Sequence, residues 1–135
     1  MPRTRIAVFA AALVVACPAC GSDDAGGATD DPTRVVELAA TDFAFRADAR
    51  ITIEAGDTVE FDVRNEGAVD HQMEILTAES RRLGMTDRIA PGSSDTVVAT
   101  FEEPGVYLVI CDIDDHRSLG QQAEFEVFGS APVDG

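Results

Sequence analysis

The sequence predicts an all-β domain, a sandwich of about seven or eight short strands. Three observations carry this. Apolar and polar residues alternate with period two in segment after segment, turn residues separate those segments at short intervals, and no stretch sustains a helical period. Period-two alternation sends one side of each strand into a core and the other to solvent, the pattern of antiparallel sheets covered on one face.

The first element in chain order lies outside that fold. Residues 1–16, MPRTRIAVFAAALVVA, carry Arg3 and Arg5 and then an uncharged apolar run from Ile6 to Ala16. That run is shorter than the roughly 20 residues a membrane-spanning helix needs and has the proportions of a signal-peptide core, so export is expected. Val14-Val15-Ala16-Cys17 resembles a bacterial lipobox, whose cysteine becomes the lipidated first residue of the mature protein. Cys20, preceded by Ala19 and followed by Gly21-Ser22, is the alternative. Lipidation would hold the protein on the outer face of the bacterial cytoplasmic membrane; without it the protein would be periplasmic or secreted. Residues 17–32 are small and acidic (GSDDAGGATDD from Gly21 to Asp31) and cannot bury enough surface to order themselves, so they read as a flexible tether. The domain is expected over residues 33–129, with 130–135 a disordered tail.

Within the domain Val36 and Leu38 open the first strand, and Phe43 and Phe45 follow. Ile51 and Ile53 alternate with Thr52 and Glu54; Val59, Phe61 and Val63 with Glu60, Asp62 and Arg64; Met73 and Ile75 with Gln72 and Glu74. Thr96 to Phe101 and Val106 to Cys111 are rich in β-branched and aromatic residues, and Ala123, Phe125 and Val127 alternate with glutamates. Gly56-Asp57, Asn65-Glu66-Gly67, Pro91-Gly92 and Pro104-Gly105 supply the turns. Thr77 to Ala90 is the irregular stretch, read as a short helical turn or a long loop.

Charge narrows the partners. The chain of 135 residues has a net charge of −15, with 25 Asp+Glu against 10 basic residues, all of them Arg. Arg3 and Arg5 belong to the leader, so the remainder is more acidic still. Nucleic acid would repel such a protein, and an anionic membrane face would not hold it by charge. A basic protein partner fits, as does an acidic surface that only confers solubility.

Chemistry concentrates in CDIDDHRSLGQQ, Cys111 to Gln122. The domain has one cysteine, Cys111, and two histidines, His71 and His116. By parity His71 shares the inward side of Met73 and Ile75, and Cys111 that of Tyr107 and Val109 at its strand's end, so the three residues can meet at one end of the sandwich. Asp112, Asp114 and Asp115 oppose thiolate formation, which argues against a cysteine nucleophile served by His71 or His116 as base. A cation would compensate. Two imidazoles and a thiolate in a plane form the equatorial set of a blue-copper site, completed by a weak axial Met, Gln or backbone oxygen. A tetrahedral zinc site of Cys, two His and an Asp is the chemical alternative, although its spacing is not that of a zinc finger.

Asn65-Glu66-Gly67 before His71, Pro104-Gly105-Val106-Tyr107 leading to Cys111, and the spacing Cys-x4-His-x4-Gln together resemble the cupredoxins, or blue-copper proteins. The resemblance covers Val35 to Phe128. It implies a Greek-key β-sandwich that carries single electrons between proteins without further chemistry, as a monomer binding one Cu(I)/Cu(II) ion. His71, Cys111 and His116 would be the equatorial ligands, with His116 nearest the surface. Where many members have Met this chain has Gln121, which resembles the stellacyanin-type variant; Gln122, Met73 and Met85 are its rivals for the axial place. Redox protein partners are implied, and Asp112, Asp114 and Asp115 suggest that they dock through a basic face. A copper carrier, chaperone or homeostasis protein of the same fold is the alternative function, beside a catalytic copper variant with an open position and a β-sandwich adhesion or ligand-binding module.

Overall fold

A computed structural model describes residues 31–130. The leader, Cys17, Cys20, nearly all of the tether and residues 131–135 lie outside the described residues. Nine strands follow in order: β1 (Arg34–Thr41), β2 (Ala44–Arg46), β3 (Ile53–Glu54), β4 (Thr58–Asn65), β5 (Glu74–Thr77), β6 (Arg82–Met85), β7 (Ser94–Thr100), β8 (Gly105–Ile110) and β9 (Gln122–Phe128). They form two sheets, β2-β1-β4-β7 and β3-β9-β8-β5-β6. Among the described residues there is no helix.

The alternation read from the sequence is what joins the sheets. Leu38, Ala40, Val59, Phe61, Val63, Val97 and Ala99 turn inward from the first sheet to meet Ile53, Ile75, Tyr107, Val109 and Val127 of the second. Away from the strand ends that carry His71 and Cys111, aromatic rings fill the core. Phe101 meets Tyr107 edge-on at 5.0 Å between centroids, and Tyr107 stacks on Phe125 at 5.8 Å. Such pairs add about 0.5–1.5 kcal/mol each beyond the area they bury. The Tyr107 hydroxyl donates to the Glu103 carbonyl at 2.7 Å, which satisfies its polar end and pins the Pro104-Gly105 turn.

Three details differ from the sequence-based expectation. Thr77–Ala90 is neither helical nor one long loop, because β6 lies within it, paired antiparallel with β5 and raising the strand count to nine. Four residues, one of them Gly84, are too few to display a period. Glu74, expected to face solvent, is 5% exposed because Arg82 of β6 covers it and bonds its carboxylate at 2.6 Å. Phe43 lies in the β1–β2 turn, not in a strand.

One pairing positions everything at the head of the sandwich. β1 and β4 run parallel, with Ala40 opposite Asn65, so their C-terminal ends emerge side by side. The turn after β1 therefore stands against the loop after β4. Buried Asn65 organises that loop: its Nδ2 donates to the carbonyls of Val69 and Ile89, both at 2.8 Å, and its Oδ1 accepts from Gly67 N at 2.8 Å.

Candidate metal centre

His71, Cys111 and His116 converge at this head, with one ligand atom from each lying within 4.8 Å of the others. All three are buried, at 0%, 1% and 8% exposure respectively. His71 precedes β5 and is held by a two-way bridge to Ile89, donating at 3.0 Å and accepting at 2.8 Å. Cys111 follows the last residue of β8. His116 sits in the turn between β8 and β9, its Nδ1 3.5 Å from Cys111 Sγ.

The loop from Cys111 to Gln121 closes on itself. Cys111 N donates to the Gln121 carbonyl, and Gln121 N to the His116 carbonyl, both at 3.0 Å. Ile113, 4% exposed, anchors the loop from beneath. Gly120 adopts φ +113°, and a Cβ there would approach the Phe43 carbonyl to 3.3 Å, so both conformation and proximity select glycine.

Gln121 is wholly buried. Its Nε2 donates to the Ala44 carbonyl at 3.1 Å, while its Oε1 has no partner. The rivals are elsewhere: Gln122 is exposed and its Oε1 accepts from Arg117, Met73 packs in the core, and Met85 lies on β6, 40% exposed. Asp112, Asp114 and Asp115 are all exposed around the loop.

What sequence reasoning missed is the turn Asp42-Phe43-Ala44, which touches three of these residues. Asp42 Oδ1 lies 2.6 Å from His71 Nε2, and Oδ2 accepts from Ala68 N at 2.8 Å. The Ala68 amide first, and then the bond to His71, hold the Asp42 carboxyl below the usual aspartate range. An ionised carboxylate only accepts, so His71 Nε2 carries the proton. Phe43 tilts against the His116 ring at 4.8 Å and meets His71 edge-on at 6.0 Å. Ala44 fixes the Gln121 amide. No spacing in the sequence links residue 42 to residue 71; only the parallel β1–β4 pairing brings them together.

The residues fit a metal. Buried polar atoms normally have partners, and His71 Nδ1 and Gln121 Oε1 are the buried side-chain nitrogen and oxygen atoms without one among the described residues. His71 Nδ1 belongs to the same constellation as a buried thiol and a second imidazole, and Gln121 is tied to Cys111 and His116 through its backbone. The donor set is two nitrogens, a sulfur and a hard oxygen, which suits copper better than a hard alkaline-earth ion.

Comparisons with known proteins agree with this architecture. A sequence model of the cupredoxin-like domain matches residues 6–121. A search of curated protein sequences finds no match. Among solved structures, dithionite-reduced auracyanin from Roseiflexus castenholzii is 19% identical with a TM-score of 0.61, over 72% of this chain and 98% of that one. Auracyanin B is 21% identical with a TM-score of 0.63, over 72% and 90%. Auracyanin A from Chloroflexus aurantiacus, a "blue" copper protein, is 21% identical with a TM-score of 0.53, over 70% and 97%. At these identities the likeness establishes the fold.

Gly67 offers a direct check of the geometry. A Cβ there would overlap Asp42 Oδ1 and lie 2.7 Å from His71 Nε2. Gly67→Ala is therefore expected to lower Cu(II) affinity about 10- to 100-fold, the usual cost of losing a ligand's supporting hydrogen bond. A competition titration measures it, and an unchanged affinity would show that this close approach does not govern the site.

Proposed function

Since the chain belongs to the family of cupredoxin-like domains, we propose that it is a type 1 (blue) copper protein, a one-electron carrier outside the cytoplasm that is held at a membrane by an N-terminal lipid. The observation that carries this reading is the pair of orphaned atoms, His71 Nδ1 and Gln121 Oε1, beside Cys111 and His116. His71, Cys111 and His116 would hold the ion equatorially and Gln121 axially. Copper bound there supplies a one-electron Cu(I)/Cu(II) couple and the positive charge that makes a buried thiolate tolerable among aspartates.

The protein's own contribution is rigidity and exclusion of water. The closed loop fixes Cys111, His116 and Gln121 relative to one another, and the bond from Gln121 Nε2 to the Ala44 carbonyl leaves the amide oxygen free to accept an axial role. Phe43 covers the imidazoles. His116 is the most exposed of the three equatorial residues, which makes its ring the natural contact for a partner. Burial of every ligand favours a resident ion over the carrier or chaperone alternative. The apolar leader supports export, and the residues around Cys17 support lipidation there, with Cys20 as the alternative; the mass of the mature N-terminus distinguishes the two.

Absorption and electron spin resonance of the copper-loaded protein test the central reading. An intense visible thiolate-to-Cu(II) band is expected, abolished in Cys111→Ser; its absence from the wild type would refute a type 1 site. An amide oxygen is harder than a thioether and favours Cu(II). Gln121→Met is accordingly expected to raise the reduction potential by at least the about 59 mV that a tenfold change in relative affinity represents, and a lower or unchanged value in voltammetry removes Gln121 from the axial place. Asp112, Asp114 and Asp115 would steer a basic redox partner toward His116, so bimolecular transfer rates should fall as salt rises. Stopped-flow rates independent of ionic strength would rule that docking mode out.

A further inference from the structure

The two imidazoles are not equivalent. His71 is wholly buried, with a carboxylate 2.6 Å behind Nε2, whereas His116 is slightly exposed and makes no hydrogen bond to a carboxylate among the described residues. Resting on the copper reading above, we propose that Asp42 is a positioning residue that fixes His71 in the Nε2–H tautomer, strengthens Nδ1 as a donor, and thereby biases the site toward the oxidised ion.

Geometry supports each part. The Asp42 carboxylate, although its residue is exposed, is held at both oxygens, Oδ2 by Ala68 N at 2.8 Å and Oδ1 by the His71 proton. The ring has little freedom to turn, since the two-way backbone bridge to Ile89 holds its residue and Phe43 lies against its edge. Gly67 keeps the approach open, because a side chain there would wedge into the bond. Nδ1 is left bare, buried and without a partner. A hydrogen bond to an ionised acceptor is shorter and about twice as strong as one to a neutral acceptor, so Asp42 draws the Nε2 proton more strongly than a carbonyl would. Electron density returned to the ring raises the basicity of Nδ1, as carboxylates behind metal-bound imidazoles do. The more highly charged ion gains more from that basicity, and Cu(II) is stabilised relative to Cu(I).

The resulting division of roles is specific. His71, with its carboxylate, sets the balance between oxidation states, while His116 meets the partner. Asp42→Asn keeps the shape of the side chain but removes the charge and leaves one acceptor oxygen where the carboxylate offers two, so that with the Ala68 contact kept an NH2 faces His71 Nε2 and the bond to the ring is lost. It is expected to cost Cu(II) affinity about tenfold or more with a smaller loss for Cu(I); a tenfold selective loss raises the one-electron potential by about 59 mV. A merely structural role would not move the potential while leaving the visible band intact.

The experiment has two arms on the full chain. Long-range proton–nitrogen correlation spectra of the metal-free wild type, taken where the His71 ring is neutral, are expected to show Nε2 protonated and Nδ1 bare. A majority Nδ1–H tautomer overturns the proposal whether or not Asp42→Asn folds. In the copper-loaded proteins, a potential that is unchanged or lower in Asp42→Asn with the thiolate band retained also overturns it. Loss of the copper reading looks different, since the wild type itself would then lack the thiolate band while the tautomer arm still reported on Asp42 and His71.

Discussion

Two buried polar atoms without partners set the terms on which this sandwich is built. Leaving such an atom unsatisfied costs about 1–3 kcal/mol, and domains are stable by only about 5–15 kcal/mol in total. Nδ1 of His71 and Oε1 of Gln121 therefore represent a substantial local burden. Neither can relieve it by rotating, because the opposite end of each polar group is already held: Nε2 by Asp42 and Nε2 of Gln121 by Ala44. The surroundings hold both groups in this orientation. An ion that binds the folded state and not the unfolded one relieves the burden and stabilises the fold by mass action.

The same constraint explains the loops. Asn65 spends all three of its hydrogen bonds on local backbone, six carbonyls of the Cys111–Gln121 loop accept from backbone amides of the same stretch or of Gln122, and both oxygens of Asp42 are engaged. Much of the polar capacity near the head is thus engaged by structure. The acidic residues of the loop stay outside that accounting, exposed to solvent, where their charge acts on what approaches.

Much of this was legible in the residues. Val59, Phe61 and Val63 declare a half-buried strand because a period of two survives any choice of neighbour, and Cys111, His116 and Gln121 sit close enough in sequence for one loop to join them. His71 could be placed by parity. The outer support could not, because Asp42 is 29 positions from His71 and meets it only through a parallel pairing that alternation does not encode. Glu74 illustrates the same limit: its side of the strand was readable, but the Arg82 that covers it belongs to a strand too short to announce itself. Periodicity reports which way a side chain faces, and partner strands decide what it finds there.

The placement of Asp42, Phe43 and Ala44 has a mechanical consequence. His71, Cys111 and the ligand loop are carried by the strands of the second sheet and their connections, whereas this turn belongs to the first. The two sheets thus grip the site like the jaws of a pair of tongs, one bearing the ligands and the other the groups that aim them. The packed rings of Phe61, Phe101, Tyr107 and Phe125 join the two sheets away from the site. A slight slip between the jaws would misalign His71 and Gln121 together, so loosening of the distant aromatic packing is felt at both residues.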